Sequence, residues 1–276
     1  MWIRGVGIAA AVVVGVLAVL VGAAWAFQRS LVFVPDPSPV TTPDDVREVT
    51  FTTSDDVELF AWLVEPGAGA PDRETAVLYA PGNGGNRGGR IGIGRALADE
   101  GFTVLLMDYR GYGGNPGSPS EEGLAKDARA AAGVLRGEGF GPERTLYLGE
   151  SIGTGVVARL QADRPPAGML LRWPFTSFVD VGSHHYPFLP VGLLMRDRFP
   201  VETYVSSSEV PVTVVSGTDD EVVPAEQSAR VADTAGRLEE VVALDGVGHN
   251  DPQMFGRPVV EALFRLADAH VGVSAP

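Results

Sequence analysis

The sequence contains no cysteine. This absence excludes a disulfide framework, a thiolate metal site and a cysteine nucleophile, and it leaves reducing and oxidising compartments equally open. Lysine is almost as scarce, because Lys126 is the only one in 276 residues. With a net charge of −14, the chain lacks the clustered basic side chains that neutralise phosphates, so nucleic acid is excluded as a partner.

Repeats with a period of about 20–50 residues are also missing, and so are low-complexity tracts. Their absence excludes a repeat architecture and disorder beyond the termini. Hydrophobic residues make up 45% of the chain. A chain of this length and composition buries one large core, so a single globular domain is expected.

The N-terminal region contains an uncharged run, GVGIAAAVVVGVLAVLVGAAWAF, from Gly5 to Phe27. As a helix it would measure roughly 35 Å, enough to cross a hydrocarbon core of about 30 Å. The sequence therefore predicts a transmembrane anchor over residues 1–30 and a single-pass protein of the cell membrane. A cleaved signal is the alternative, since Ala24-Trp25-Ala26 has a small-x-small pattern. Arg4 and Arg29 nearly balance, with a slight preference for a catalytic domain on the extracytoplasmic face.

The rest of the chain, residues 31–276, has the pattern of one α/β domain. After a Pro- and Asp-rich lead-in, REVTFTT and VELFAWLV flank a turn and predict an antiparallel hairpin. Apolar runs that alternate with helical stretches predict buried strands at 76–81, 102–108, 144–150, 168–173, 210–217 and 239–246. This alternation predicts a mostly parallel sheet with helices on both faces. The aromatic and Pro-rich text at about 174–208 predicts a small helical cap.

The stretch LYLGESIGTG places Gly149-x-Ser151-x-Gly153 directly after a predicted strand and at the start of a predicted helix. A Gly-x-Ser-x-Gly match alone is weak in a chain with 35 glycines. The strand–turn–helix context makes it stronger, because a nucleophile elbow requires that setting. Ser151 is therefore predicted to be a nucleophile, and a glycine turn that only begins a helix is the alternative.

A serine nucleophile needs a base, and the base needs an orienting carboxylate. Asp220 follows the predicted strand VPVTVVSG, and His249 lies in the loop after the next strand. Sites of open α/β sheets collect at these strand ends. We predict Asp220 as the acid and His249 as the base, with the neighbouring Asp219 as the alternative acid.

An oxyanion requires preorganised N–H donors. The glycine-rich turn APGNGGN, Ala80 to Asn86, follows a predicted strand and offers one donor, and the backbone N–H of Ile152 offers another. A phosphate-binding loop is the competing interpretation of a glycine-rich turn. The sequence has no Gly-x-x-x-x-Gly-Lys-[Ser/Thr] to support it.

These motifs together resemble the α/β-hydrolases, and within them the membrane-anchored serine hydrolases that include bem-type, depalmitoylase-like and serine aminopeptidase-like proteins. QRSLVFVPDP, PGNGGN, DYRGYGGNPGSPSEEGL, GESIGTG, PFTS, YPFLPVGLLMRDRFP, GTDDEVVP and GHND occur in the family's order. The resemblance implies a Ser151, Asp220, His249 triad and oxyanion amides at Asn83 and Ile152.

The chain departs from the family pattern at two positions. Pro81 stands where relatives have histidine, and Asn115 where relatives often have serine. We expect these departures to affect the contacts that support the site and the substrate preference more than the class of reaction.

The expected function is a serine hydrolase that cleaves an ester or thioester through an acyl-Ser151 intermediate, without a metal or an organic cofactor. The expected substrate is a small-molecule or lipid-like acyl compound, and the expected membrane contact is the N-terminal helix. A peptidase or amidase with the same triad remains an alternative. A catalytically silent interaction protein on a hydrolase fold is another alternative.

Overall fold

The computed structural model describes residues 2–272, and for positions 2–5, 7–11 and 17–18 it describes the backbone alone. Residues 1 and 273–276, the outer ends of the two predicted domain ranges, lie outside the described residues. The strands are β1 Val34–Pro35, β2 Arg47–Thr52, β3 Glu58–Val64, β4 Thr75–Ala80, β5 Gly84–Gly85, β6 Phe102–Met107, β7 Thr145–Glu150, β8 Gly168–Arg172, β9 Val212–Gly217 and β10 Leu238–Leu244. The helices are α1 Trp2–Ala26, α2 Gln28–Val32, α3 Ile91–Asp99, α4 Glu121–Gly137, α5 Ile152–Asp163, α6 Phe178–His185, α7 Val191–Leu194, α8 Val201–Ser206, α9 Ala225–Thr234 and α10 Arg257–His270.

Eight of these strands form one sheet in the order β10-β9-β8-β7-β4-β6-β3-β2. The strands from β10 to β6 pair in parallel, and β3 pairs antiparallel with both β6 and β2. The predicted α/β fold with a mostly parallel sheet and the predicted N-terminal hairpin are therefore confirmed. In this order the carboxyl ends of β4, β7, β8, β9 and β10 lie at one edge, where sites of such sheets form.

The central strands are buried on both faces, as their continuous apolar sequences predict. Along β4, Leu78 and Ala80 belong to one hydrophobic cluster, and Val77 and Tyr79 belong to the other. This alternation follows the two-residue period of a strand. Each face of the sheet is covered by helices, so the two clusters form the two halves of the core.

The last strand differs from the prediction. The text at 239–246 predicts a buried strand, but β10 is the edge of the sheet and its residues alternate between exposed and half-buried. Leu238 and Val241 are both more than 40% exposed. An edge strand has one neighbouring strand instead of two, so an apolar sequence alone does not bury it.

Three short helices, α6, α7 and α8, lie between β8 and β9, where the sequence predicts a cap at about 174–208. The Ser177 hydroxyl begins α6 by accepting the N–H of Asp180 at 3.1 Å. Phe188 and Leu193 in this cap segment are 78% and 86% exposed.

The predicted transmembrane anchor is not supported. The helix α1 covers Trp2–Ala26. Among the residues that the structure describes, however, no helix meets the length and apolarity needed to cross a membrane.

Candidate active site

Ser151 occupies a sharp turn between β7 and α5. Its backbone has φ 51° and ψ −117°, a left-handed conformation that is strained for any residue other than glycine. The Ser151 N–H donates to the Arg172 carbonyl at 2.8 Å, and the Ser151 carbonyl accepts the N–H of Thr154 at 2.9 Å. These bonds hold the turn on both sides, and Ser151 lines the adjacent cavity.

The two glycines that flank Ser151 are required by close backbone contacts. A Cβ on Gly153 would lie 2.1 Å from the Ala80 carbonyl oxygen, and a Cβ on Gly149 would lie 2.7 Å from the Gly153 carbonyl oxygen. Because the neighbours are backbone atoms, they cannot rotate away. Glycine therefore lets α5 begin directly against the end of β4.

Asp220 and His249 come together from the loops after β9 and β10. His249 Nδ1 lies 2.7 Å from Asp220 Oδ2. Asp220 Oδ1 accepts the backbone N–H groups of Val222 at 2.8 Å and Val223 at 2.7 Å. The Asp220 side chain is only 2% exposed. This fixed carboxylate favours the tautomer with the proton on Nδ1 and leaves Nε2 to accept a proton.

Among the described residues, the side chains of the other acid and of the other histidines form no hydrogen bond with Asp220 or His249. Asp219 is exposed, and its carboxylate accepts the Thr218 hydroxyl at 3.2 Å. His184 and His185 are exposed at the end of α6. His270 bonds the Glu239 carboxylate at 2.7 Å. Of the two aspartates that the sequence leaves open, Asp220 is the one that contacts the His249 ring.

Trp173 packs on the face of the His249 ring. The two rings are stacked with centroids 4.4 Å apart and an interplanar angle of 22°. Trp173 directly follows β8 and has φ 54°, the same strained region as Ser151. The backbone N–H of Trp173 donates to the Val215 carbonyl at 2.9 Å. This bond fixes the Trp173 backbone against β9. The stacking restricts the tilt of the His249 ring.

Ser151 and His249 line one cavity of about 620 Å³. The apolar members of its wall are Phe175, Phe178, Val181, Val222, Val223 and Phe255. Within the described residues, no hydrogen bond joins the Ser151 hydroxyl to the His249 ring. Catalytic hydrogen bonds are often long or poorly aligned without substrate, so the missing bond does not argue against proton transfer between the two groups.

The predicted oxyanion donors belong to the first turn of α5 and to the loop between β4 and β5. Ile152 is the first residue of α5, so its N–H belongs to the group that has no acceptor within the helix. Asn83 lies in the loop between β4 and β5 and lines the same cavity. Within the described residues, neither backbone N–H has a hydrogen-bond partner. Both are therefore available to a ligand oxygen, as the oxyanion prediction requires.

The Asn83 side chain fixes its loop to the N-terminal segment. Its Nδ2 donates to the Val32 carbonyl at 2.6 Å, and its Oδ1 accepts the Tyr112 hydroxyl at 2.9 Å and the Val34 N–H at 3.3 Å. Beside it, β1 pairs in parallel with β5. The conformation of the donor loop therefore depends on residues that precede the domain's large sheet.

Of the two departures from the family pattern, Pro81 makes a contact through its backbone and Asn115 makes contacts through its side chain. The Pro81 carbonyl accepts the hydroxyl of Tyr109 at 2.9 Å. Asn115 is buried, donating to the Asp108 carbonyl at 3.0 Å and accepting the Phe60 N–H at 2.8 Å. Asn115 thus joins β3 to the loop after β6.

Glu150, the residue before the predicted nucleophile, is buried between charged partners. Its carboxylate lies 2.7 Å from Arg90 and 2.8 Å from Arg172, and it accepts the Tyr79 hydroxyl at 2.7 Å. Burial alone raises the pKa of Glu150, but the charges of Arg172 and Arg90 outweigh burial and lower that pKa to about 2. Glu150 is therefore ionised and cannot serve as a general acid near neutral pH.

Comparison with known proteins identifies the family. A family model described as the alpha/beta hydrolase fold matches residues 75–167. The chain is 30% identical over 227 residues to the alpha/beta hydrolase domain-containing protein WAV2 of Arabidopsis thaliana, a match that covers 72% of each chain. The chain belongs to the α/β-hydrolase family. The narrower resemblance to membrane-anchored serine hydrolases stays a prediction.

Other relatives of this α/β-hydrolase differ in how much is known of them. An uncharacterized protein of Mycobacterium tuberculosis is 42% identical over 248 residues, with 88% of each chain covered. The lysophosphatidylserine lipase ABHD12 of Danio rerio is 33% identical over 179 residues, which are 58% of this chain and 47% of that lipase. Among solved structures, an esterase of Pyrococcus furiosus has a TM-score of 0.67 at 20% identity, with 87% of this chain and 98% of that one covered. That structural likeness supports the fold alone.

Three features of the site escaped prediction from the sequence. Trp173, Arg90 and Glu150 all contact or line the cavity region, but none belongs to a motif that carries chemistry by itself. For Trp173 and Glu150 a signal exists, because each lies at the carboxyl end of a predicted strand. For Arg90 the sequence offers only its position in the glycine-rich stretch after Asn86.

Proposed function

We propose that this α/β-hydrolase is a serine hydrolase that cleaves an ester or thioester through an acyl-Ser151 intermediate. The observation that carries the proposal is one arrangement. A serine on a strained turn shares a cavity with a histidine whose Nδ1 lies 2.7 Å from a buried aspartate.

In the proposed first step, Ser151 Oγ attacks the substrate carbonyl carbon while His249 Nε2 takes the Oγ proton. The N–H groups of Asn83 and Ile152 donate to the developing oxyanion. The tetrahedral intermediate then expels the alcohol or thiol, which receives the proton from His249. Asp220 stabilises the imidazolium without becoming protonated.

In the second step, water attacks the acyl-Ser151 carbonyl and gives its proton to His249 Nε2. The acid product leaves as the proton returns to Ser151 Oγ. Each group ends in its starting state, so no cofactor is consumed.

The proposed substrate is an acyl compound with an apolar part. The three phenylalanines and three valines of the cavity wall provide an apolar surface for such a group. The name of the zebrafish relative, a lysophosphatidylserine lipase, also favours carboxylic esters. Among the described contacts of the site, none distinguishes an oxygen ester from a thioester.

Turnover of 4-nitrophenyl butanoate and octanoate tests the proposal. We expect Ser151→Ala and His249→Ala each to lower kcat by about 10⁴-fold or more, because triad members act as a unit. Ser206→Ala, at an exposed serine of α8, should match the wild type. Hydrolysis that survives Ser151→Ala would contradict the acyl-serine mechanism. Amide cleavage without ester cleavage would favour the peptidase alternative.

The cellular location stays a proposal from the sequence. We propose that the apolar run Gly5–Phe27 associates the protein with the cell membrane and leaves the catalytic domain on the extracytoplasmic face. Retention of the protein in membranes washed at alkaline pH would support this location, and complete release would contradict it.

A further inference from the structure

We propose that the cavity beside Ser151 contains a subsite for an anionic group of the substrate, formed by the guanidinium of Arg90. The proposal rests on the hydrolase function proposed above and adds a substrate class to it. The substrate would be an ester or thioester that also bears a carboxylate or phosphate.

The first observation is the orientation of Arg90. Its Nε and Nη2 donate to the two Glu150 oxygens at 3.2 Å and 2.7 Å. Arg90 lines the same cavity as Ser151, and its side chain is 12% exposed. The second terminal nitrogen, Nη1, has no hydrogen-bond partner among the described residues. The guanidinium is therefore held rigidly from one edge and offers its other edge to the cavity.

The second observation is the balance of charge around the cavity. Arg90 and Arg172 both contact Glu150, so two guanidinium groups share one carboxylate. Arg87 is balanced separately, by Asp108 at 2.8 Å and by Glu48 at 3.6 Å. The ionisable residues of the cavity wall are Arg90, Glu150 and His249. Around Glu150 two positive charges thus face one negative charge, whereas around Arg87 one positive charge faces two negative ones. The positive side of this network is the one that lines the cavity beside the nucleophile.

The third observation is the space around the guanidinium. Gly84, Gly85 and Gly89 form the neighbouring wall of the cavity. A Cβ on Gly85 would lie 2.7 Å from Arg90 Nη1, whereas a Cβ on Gly84 or Gly89 would meet no atom within 4 Å. Glycine at 85 makes room for Nη1, and Gly84 and Gly89 leave the adjoining wall of the cavity free of side chains.

Together these observations favour an anion over a neutral polar group. A partly desolvated guanidinium binds carboxylate and phosphate oxygens with charge-assisted hydrogen bonds, which are stronger than neutral ones. Glu150 keeps Arg172 and Tyr79 as partners when Arg90 also binds a ligand. Arg90 can therefore act on substrate specificity without giving up its role as a counterion.

Paired esters test the proposal. Mono-4-nitrophenyl glutarate and 4-nitrophenyl pentanoate differ by a carboxylate in place of a methyl group on the acyl side. 3-Carboxyphenyl butanoate and 3-methylphenyl butanoate give the same comparison on the leaving-group side. The measured quantity is the ratio of kcat/KM for the anionic ester to that for its neutral partner.

For at least one pair, we expect Arg90→Gln to lower this ratio by about 10- to 100-fold, the effect of one charge-assisted hydrogen bond. Arg90→Lys should keep part of the preference. Arg95→Gln is the matched control, since it removes an arginine paired with Asp45 on the exposed surface of α3 and should leave the ratio unchanged. Equal losses for both members of every pair would overturn the proposal and leave Arg90 as a counterion of Glu150 only.

Binding provides a readout that does not depend on turnover. In the Ser151→Ala background, calorimetric titration with mono-4-nitrophenyl glutarate and with methyl phosphate should give a Kd that rises about tenfold or more when Arg90→Gln is added. A Kd that does not change for either probe would overturn the anion subsite. If the wild type hydrolysed none of the esters while this Kd difference remained, the hydrolase function would fail and the anion site would stand.

Discussion

Asp220 and Asp219 are adjacent carboxylates with different surroundings. Asp220 accepts two backbone N–H groups with one oxygen and contacts the His249 ring with the other. Asp219 is exposed, and within the described part of the chain its carboxylate accepts a threonine hydroxyl alone. The hydrogen bonds of the loop after β9 therefore select one of two residues that the sequence alone does not distinguish.

This difference predicts unequal effects of one substitution at the two positions. Asp220→Asn should lower kcat for an ester by about 10³- to 10⁴-fold, because the amide no longer holds the required tautomer or stabilises the imidazolium. Asp219→Asn should change kcat by less than about threefold. Steady-state kinetics on 4-nitrophenyl butanoate measure both. A larger effect at Asp219 would show that the wrong acid has been assigned.

At the scale of elements, residues 28–35, which we call the strap, connect the loop that contains Asn83 to the cap. Gln28 donates to the Leu194 carbonyl at 3.1 Å and accepts the Arg196 N–H at 2.8 Å. Arg29 forms two hydrogen bonds with Asp197, at 2.8 Å and 3.1 Å. At its other end, β1 pairs with β5 next to Asn83. The strap thus positions two structures that border the cavity.

The strap predicts a catalytic effect of a substitution outside the cavity. Val34→Pro removes the N–H that bonds Asn83 Oδ1, since proline has no backbone donor. A loosened donor loop should stabilise the transition state less, so we expect kcat to fall roughly tenfold with KM nearly unchanged.

Thr41→Pro is the matched control for this experiment. Thr41 lies in the irregular lead-in that follows the strap, is exposed, and its N–H has no hydrogen-bond partner among the described residues. Its substitution should leave kcat within about twofold of the wild type. Equal kcat values for the Val34→Pro protein and the wild type would show that the oxyanion loop keeps its shape without the strap.

At the scale of the whole molecule, Glu150 connects three strands of the sheet. Its partners Tyr79 and Arg172 lie on β4 and β8, on either side of β7. Because the pKa of Glu150 in the folded protein is lowered to about 2, below its ordinary value of 4.5, its ionised form stabilises the fold above about pH 4.5. This contribution is lost as the pH falls from about 4.5 to about 2.

The buried network predicts a stability effect with a defined pH dependence. Glu150→Gln should lower the free energy of unfolding at pH 7 by about 3–5 kcal/mol, because it leaves buried arginines without a counterion. It should also reduce the loss of stability between pH 4.5 and pH 2.5. Urea unfolding across this range measures both effects, with Glu65→Gln, at a 58% exposed side chain, as the control. An unchanged pH profile in Glu150→Gln would contradict the role assigned to the network.

Much of the fold and of the candidate site is predictable because the signals are local. The central strands are continuous apolar runs, Ser151 and Asp220 each follow one of them, and His249 follows the edge strand β10, all in the family's chain order. The features that escaped prediction depend on contacts between distant segments. Gln28 meets Leu194 across 166 positions, and Arg90 meets Glu150 across 60. The exposure of β10 likewise depends on its place at the sheet edge, which cannot be predicted from its apolar sequence.

Labelling with a fluorophosphonate probe, read out by intact mass and peptide mapping, shows whether Ser151 is an activated nucleophile, because the probe reacts with activated serines. We expect one adduct per chain, located on Ser151, that is lost in Ser151→Ala and strongly slowed in His249→Ala. Folded wild-type protein that takes up no probe, or an adduct on another serine, would contradict the claim that Ser151 is an activated nucleophile.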